Sequence, residues 1–139
     1  MSKEYDDVLK QLIDLNKQNR EANSHNMEMF SPSEAVWEYG VIRLDIGRGV
    51  GKTTFIKNNA TSKDLIITFN RESQKTFGEI PAKVIVSDIG EFLRALHHAE
   101  VFETIYVDEP MLSFRQLDMR DALKTLIHNY DQTIVILGK

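Results

Sequence analysis

The chain has 139 residues, of which 42% are hydrophobic and 27% charged, with a formal net charge of −4 and no cysteine. This composition is typical of one compact globular domain, and it excludes disulfides and thiolate metal sites. No apolar stretch approaches the roughly 20 residues that a membrane helix needs, and the first residues lack a signal-peptide core, so we expect a cytoplasmic protein without a membrane partner.

The first quarter of the chain predicts a helix followed by a polar segment. Residues 3–18 place apolar side chains at helical spacing with charges between them, which predicts an amphipathic helix that packs on the domain. Residues 19–33 are rich in Asn, Ser and Glu and end in Ser-Pro-Ser, a composition typical of a linker. We therefore divide the chain into an N-terminal helix with its linker, 1–33, and one domain, 34–139.

Strand and helix patterns alternate from residue 41 onward. Short apolar, β-branched runs predict strands at 41–46, 65–69, 83–86, 104–107 and 133–137. Helices are expected from Lys52, from Asp88 and after Ser113, with capping boxes formed by Asp88 and Glu91 and by Ser113 and Gln116. Residues 70–81 allow a loop or a short helix. The alternation predicts an α/β fold, a three-layer sandwich with a mainly parallel central sheet.

A glycine-rich segment follows the first predicted strand and precedes a predicted helix. Alternating glycines let successive N–H groups converge on phosphate oxygens, and a helix N-terminus adds positive potential. Lys52 would reach the β- and γ-phosphates, and the Thr53 hydroxyl would bind Mg²⁺. Ile46 stands where the usual pattern has a glycine, and a glycine-rich turn without a ligand is the alternative. The residues expected to bind nucleotide are Gly47, Arg48, Gly49, Val50, Gly51, Lys52, Thr53 and Thr54.

Two carboxylates end the strand at 104–107. Asp108 stands where such folds place the acid that holds Mg²⁺, and Glu109 stands where a second carboxylate orients the attacking water. Alone, an acidic strand end followed by Pro110 is an ordinary turn. Its position about 55 residues after the phosphate loop, at the corresponding end of its own strand, makes the interpretation as a functional carboxylate pair more specific. Small-molecule kinases of the P-loop class generally lack this second carboxylate and carry an arginine-rich lid.

Together the two motifs resemble the additional-strand, catalytic-glutamate division of P-loop NTPases, which includes helicases, recombinases, AAA-type ATPases and viral DNA-packaging motors. The resemblance covers residues from about 41 to 139. It implies a RecA-like core in which the last strand lies between the phosphate-loop strand and the Asp108 strand. A small viral or mobile-element NTPase, located in the host cytoplasm, would fit this size.

Arg48, four residues before Lys52, makes the loop resemble one group within this division, the viral DNA-packaging ATPases. Large terminase subunits carry an arginine at this place, which acts in cis on the γ-phosphate. The alternative is a structural or solvent-facing loop arginine. A large terminase also carries a nuclease domain and a longer ATPase region, neither of which is expected within these 139 residues. Lys139, after the last strand, would either sense the γ-phosphate or be solvated.

The resulting hypothesis is Mg²⁺-dependent hydrolysis of ATP or GTP, with Lys52, Glu109 and Arg48 as catalytic residues and Thr53 and Asp108 as metal ligands. The alternative is a nucleotide-dependent module that binds a protein partner, a second copy of the chain or a nucleic acid, with little hydrolysis. The net charge does not favour nucleic acid. Four further side chains would contact a base or the site, or else be structural: Trp37, Tyr39, Asn70 and Arg71.

Overall fold

The computed structural model describes residues 2–45, 47, 51–88, 90, 91, 94, 101–115 and 117–139. Within them lies a five-stranded sheet whose neighbouring strands all pair in parallel. The strands are β1 (Val41–Leu44), β2 (Leu65–Thr68), β3 (Lys83–Val86), β4 (Thr104–Asp108) and β5 (Thr133–Leu137). Their order is β1-β5-β4-β2-β3, so the expected place of the last strand, between the phosphate-loop strand and the Asp108 strand, is confirmed.

The described helices connect the strands and cover the sheet. They are α1 (Ser2–Ala22), α2 (Ser24–Met27), α3 (Pro32–Tyr39), α4 (Lys52–Asn59), α5 (Arg71–Thr76), α6 (Pro110–Ser113) and α7 (Met119–Lys124). Helix α4 begins at Lys52, as predicted, and the segment 70–81 contains the short α5. The described helices include none with the length and hydrophobicity to cross a membrane.

Apolar clusters cover both faces of the sheet, because successive strand residues point to opposite sides. One cluster joins the sheet to α3 and α7, and its members include Val36, Ile67, Val107, Leu123, Ile134 and Ile136. The other joins the sheet to α1 and α4, and its members include Tyr5, Leu9, Phe55, Ile56, Tyr106, Val135 and Leu137. The predicted parallel sheet with helices on both faces is therefore present.

The linker prediction for residues 19–33 is wrong for most of this segment. Helix α1 continues to Ala22, α2 follows, and α3 begins at Pro32. The cause is a tertiary contact: Arg20, 9% exposed, donates to Thr133 Oγ1 at 2.9 Å, to the Gln132 carbonyl at 2.7 Å and to the Tyr130 carbonyl. Helix α1 is thereby joined to the start of β5, and the expectation that the N-terminal helix packs on the domain is confirmed.

The predicted capping box of Ser113 with Gln116 is also wrong. Ser113 is the last residue of α6, and its hydroxyl donates backward to the Asp108 carbonyl at 2.6 Å. Helix α7 is capped instead by Asp118, whose Oδ1 accepts from the Asp121 N–H at 3.0 Å. A serine at a tight turn after a strand can satisfy that strand's last carbonyl, which here competes with capping the next helix.

The helix predicted from Asp88 lies largely outside the described residues. Its first turn is present, since the Glu91 N–H donates to Asp88 Oδ1 at 2.8 Å, as an N-cap does. Gln116 and the loop residues Arg48, Gly49 and Val50 also lie outside the described residues.

Candidate functional site

The predicted site residues meet at the carboxyl edge of the sheet. Because the strands are parallel, the ends of β1, β4 and β5 lie along one edge, where ligands of open α/β sheets bind. The glycine-rich segment follows β1, Asp108 ends β4, and Gly138 and Lys139 follow β5. Residues far apart in the chain are thus brought to one place by the topology.

The start of α4 has the backbone that the phosphate-loop prediction requires at its described positions. Gly47 has φ 99° and Gly51 has φ 101°, and Gly51 is the N-cap of α4. Only glycine takes these values readily, so the turn depends on both residues. Lys52 and Thr53 are half-buried in the first turn of α4, whereas Thr54 is exposed.

Lys52 and Glu109 form an ion pair across this edge. The Lys52 ammonium contacts Glu109 Oε1, although the two residues are 57 positions apart in the chain. Their side chains are 12% and 18% exposed, so water screens the pair only partly. The contact shows that Lys52 of the glycine-rich segment and Glu109, the residue after β4, lie in one site.

Glu109 is held in an unusual conformation. Its φ of 52° and ψ of 73° are left-handed, which costs a non-glycine residue roughly 1–2 kcal/mol. Its N–H donates to the Leu137 carbonyl at 2.9 Å, and the Met111 N–H donates to the Lys139 carbonyl at 2.7 Å. These bonds join the end of β4 to the end of β5. Strained backbone that surrounding contacts hold in place is a recurrent property of functional sites.

The segment after β5 leaves room for the Glu109 carboxylate. Gly138 has φ 97°, and a Cβ placed on it would lie 2.7 Å from the carboxylate oxygens. The Lys139 N–H donates to Glu109 Oε2 at 3.3 Å. The sequence predicts the Lys139 side chain as a γ-phosphate sensor or a solvated group, whereas the contact with Glu109 is made by the Lys139 main chain, which any residue could supply.

Asp108 is buried beside this pair. It is 7% exposed, and its Oδ2 accepts from Thr68 Oγ1 at 3.2 Å. Burial raises the pKa of the Asp108 carboxyl above its ordinary value, and the Glu109 charge adds to this effect. The Thr68 hydrogen bond and the Lys52 charge act in the opposite direction. The carboxylate therefore lacks full compensation from the protein, which is a condition that a bound cation would relieve.

Two clefts flank the Lys52–Glu109 pair, and Lys52, Glu109 and Leu112 line both. The β1-side cleft, of about 320 Å³, is further lined by Asp45, Gly47, Met111 and Lys139. The α5-side cleft, of about 260 Å³, is further lined by Thr53, Phe69, Ser73, Thr76 and Asp108. The two clefts thus lie along the carboxyl edge on either side of the ion pair.

The donor set in the α5-side cleft fits Mg²⁺. The Thr53 hydroxyl and the Asp108 carboxylate are hard oxygen ligands, and Mg²⁺ usually takes one or two protein oxygens together with waters and phosphate oxygens. Across the described ranges, no group of three or more His, Cys, Asp or Glu could hold a metal by itself. The arrangement therefore suits an ion that arrives with a phosphate ligand better than a caged structural ion.

The four further candidate side chains have different surroundings. Trp37 packs against the cluster beneath α3 and α7. Asn70 Oδ1 caps α5 by accepting from the Ser73 N–H at 2.8 Å, and Arg71 donates to Glu91 at 3.2 Å. These contacts give Trp37, Asn70 and Arg71 structural roles. The carbonyl of Tyr39 accepts from Asn16 Nδ2 at 2.8 Å.

Two residues of the site were not found by sequence reasoning: Thr68 and Gly138. Thr68 ends β2, and a polar residue at a strand end next to the Asp108 strand could have indicated it. Gly138 directly after a buried strand could have indicated a close approach.

Comparison of the chain with protein-family models, with curated proteins and with solved structures finds no match.

Proposed function

We propose that this chain binds a nucleoside triphosphate with Mg²⁺ and hydrolyses it, as a P-loop NTPase of the catalytic-glutamate type with a RecA-like core. The observation that carries the proposal is the contact between Lys52 and Glu109 beside the buried Asp108. It unites both sequence motifs at the edge of the sheet where α/β folds bind ligands. The strand order β1-β5-β4, expected from the resemblance, supports the same proposal.

Phosphate binding rests on Lys52 and the start of α4. The Gly51 N-cap directs the first N–H groups of α4 and their positive potential toward the edge. The Lys52 ammonium, now paired with Glu109, would exchange one carboxylate for the β- and γ-phosphate oxygens, which carry more charge. Arg48 would add a second positive charge from the same loop, as it does in terminases.

Thr53 and Asp108 would hold Mg²⁺, which supplies charge neutralisation on the β- and γ-phosphates. The raised pKa of Asp108 is consistent with a carboxylate whose compensation comes from the ligand complex. Its Oδ2 is fixed by Thr68, so the orientation of the carboxyl plane is set before a ligand binds.

Glu109 would orient the attacking water and accept its proton. The water oxygen bonds to the γ-phosphorus, the bond to the β–γ bridging oxygen breaks, and a nucleoside diphosphate and phosphate leave. When Lys52 turns to the phosphates, one oxygen of Glu109 becomes available for this water. The left-handed backbone at Glu109 fixes where that oxygen lies.

Binding and hydrolysis are tested separately, with ATP first and GTP second. Mg–ATP affinity is measured by calorimetry, and turnover is measured by phosphate release. We expect Lys52→Ala to lose both, and Glu109→Gln to keep binding while phosphate release falls at least about 100-fold. Lys57→Ala, an exposed lysine at the other end of α4, is the matched control and should behave as wild type. Wild-type protein that binds no Mg–ATP at millimolar concentration would refute the proposal.

A second candidate, a nucleotide-dependent binding module for a protein or nucleic-acid partner, is favoured by one observation. Glu109 already accepts from Lys52 and from the Lys139 N–H, so both its oxygens are engaged. A carboxylate that stays engaged cannot activate water. Tight Mg–ATP binding by wild type, with no phosphate release above that of Glu109→Gln, would select the module.

A further inference from the structure

A third cleft lies at the carboxyl edge, beside the β1-side cleft. Its volume is about 530 Å³, against about 320 Å³ and about 260 Å³ for the two clefts at the ion pair. Sites for small organic ligands usually measure roughly 300–1,000 Å³, so it is large enough for one. We call it the outer cleft, and the residues that line it and neither of the other two include Arg43, Pro110, Phe114, Met119 and Ile136.

The outer cleft combines an apolar wall with polar side chains. Phe114, Met119 and Ile136 belong to the apolar cluster on the α3 and α7 side of the sheet. Arg43 lies opposite Ile136 in the parallel register and is therefore on the same face as this wall. Arg43 and Asp45 are both exposed, and they present N–H donors and carboxylate acceptors respectively. A flat, mainly apolar body with donors and acceptors along its edge, such as a nucleobase, is complementary to this lining.

The outer cleft is continuous with the proposed phosphate site. Asp45, Met111 and Lys139 line both the outer cleft and the β1-side cleft, and the latter also contains Gly47 and Lys52. Met111 is 70% exposed at this boundary, and the Gly47 N–H donates to Asp45 Oδ1 at 3.3 Å. A ligand whose phosphates contact Lys52 can therefore extend past Met111 into the outer cleft.

The three clefts follow one another along the edge in a definite order. The α5-side cleft, which contains the proposed Mg²⁺ ligands, shares Lys52 and Glu109 with the β1-side cleft and shares no lining residue with the outer cleft. The outer cleft is thus at the far end of the series from the metal ligands. An elongated ligand with Mg²⁺ and phosphate at one end would place its other end there.

We propose that the outer cleft binds the base and sugar of the nucleotide, with the phosphates in the β1-side cleft. This inference rests on the proposed function. Phe114 and Met119 contact the face of the base, because aromatic rings and thioethers pack well on flat π-systems. Arg43 and Asp45 bind hydrogen-bonding groups on the edge of the base or on the ribose. These contacts make the affinity depend on the nucleoside as well as on the phosphates.

The test compares Mg–ATP, Mg–GTP and Mg–tripolyphosphate, which has the phosphate chain without a nucleoside. Their affinities are measured by calorimetry for wild type, Arg43→Gln and Met119→Ala. Arg115→Gln is the matched control, because Arg115 is also exposed and loses the same charge but does not line the outer cleft. Urea unfolding shows that each variant is folded under the conditions of the binding assay.

We expect wild type to bind the better of the two nucleotides at least about tenfold more tightly than tripolyphosphate. Arg43→Gln should lower the affinity for that nucleotide about tenfold, since a hydrogen bond from a charged donor is lost. Met119→Ala should lower it about threefold to tenfold, through lost apolar contact. Both variants should bind tripolyphosphate within about twofold of wild type, and Arg115→Gln should change no affinity by more than about twofold.

Two results would overturn the inference. Equal affinity of wild type for all three probes would show that the nucleoside makes no contact, and a protein segment would then be the better candidate for the outer cleft. Equal losses of nucleotide and tripolyphosphate affinity in Arg43→Gln would show that its charge acts on the phosphates. In both cases the phosphate site stands, whereas failure of wild type to bind any probe would refute the proposed function itself.

Discussion

The two ends of the sheet give their buried polar groups different kinds of partner. At the amino end, Gln132 is 1% exposed, its Oε1 accepts from two main-chain N–H groups and its Nε2 donates to the Leu126 carbonyl. Arg20 and Asp64 are also buried and bonded to main chain. At the carboxyl end, Asp108 accepts from the Thr68 side chain at 3.2 Å and shares a cleft with the Lys52–Glu109 ion pair. Burial raises the pKa of Asp108 and of Asp64 alike.

This difference distinguishes structural polar groups from ligand-binding ones. Polar groups that exist to hold a fold are satisfied by the protein itself, because any unpaired group would lower its stability. Polar groups that exist to bind must keep unmet capacity for the ligand, so their burial weakens the free protein. The proposed function makes the carboxyl edge the binding end, whereas Arg20 at the amino edge joins α1 to the sheet.

The largest effect is expected for Arg20→Met. The substitution keeps much of the packing but leaves the carbonyls of Tyr130 and Gln132 and the Thr133 hydroxyl without their buried donor. We expect a loss of about 2–4 kcal/mol in the free energy of unfolding, measured in urea. Lys17→Met, at an exposed position of the same helix, is the control. A loss no larger than the control's would contradict the structural role of the amino edge.

A matched pair of substitutions sharpens the comparison, because Asp64→Asn and Asp108→Asn are the same change at opposite ends. Asp64 accepts from the N–H groups of Thr61 at 2.8 Å and Thr104 at 3.2 Å through different oxygens, and an amide can accept through only one. We expect Asp64→Asn to lower stability by about 1–3 kcal/mol and to leave Mg–ATP affinity unchanged.

Asp108→Asn is expected to give the reverse result. One amide oxygen can still accept from Thr68, and the buried charge is removed. Stability should therefore stay within about 0.5 kcal/mol of wild type or rise, while Mg²⁺-dependent ATP affinity falls at least about tenfold. If Asp108→Asn destabilised the fold as much as Asp64→Asn, the distinction between the two ends would be lost.

The smallest effect is expected for the ion pair between Lys124 and Glu34, which lies at neither end of the sheet. Lys124 contacts the Glu34 carboxylate, and this hydrogen bond is the main cause that lowers the pKa of Glu34 below its ordinary value of 4.5. A lowered folded-state pKa contributes stability above the unfolded value, and that contribution disappears as pH falls through the folded value. We expect Lys124→Gln to be slightly less stable than wild type at pH 7 in low salt. The difference should shrink as pH falls below 4.5, and it should also shrink in high salt.

Most of the sheet could be predicted from the sequence, because the strands are short apolar runs separated by turn residues. The pattern indicates β2, β4 and β5 within one residue of their observed ends, and α4 begins at the predicted Lys52. The polar segment 19–33 could not be predicted correctly, since its helical structure depends on bonds from Arg20 to residues more than 100 positions away. The local composition of the segment gives no information about bonding partners that are so distant in the chain.

The residues of the candidate site also fall into a group that the sequence predicts and a group that it does not. Gly47, Lys52 and the Asp108-Glu109 pair are found by spacing within short motifs, and the structure places them at one edge. Thr68 and Gly138 reach that edge from other elements, and only the tertiary fold reveals their positions. Their roles depend on distance in space, which no single sequence records.

The Lys52–Glu109 pair lines both the β1-side cleft and the α5-side cleft. In the proposed function, a ligand that draws the Lys52 ammonium to one side would change the charge presented to the other side and free Glu109 at the same moment. Ligands in the two clefts would then be thermodynamically linked, and each would alter the affinity for the other by the same factor.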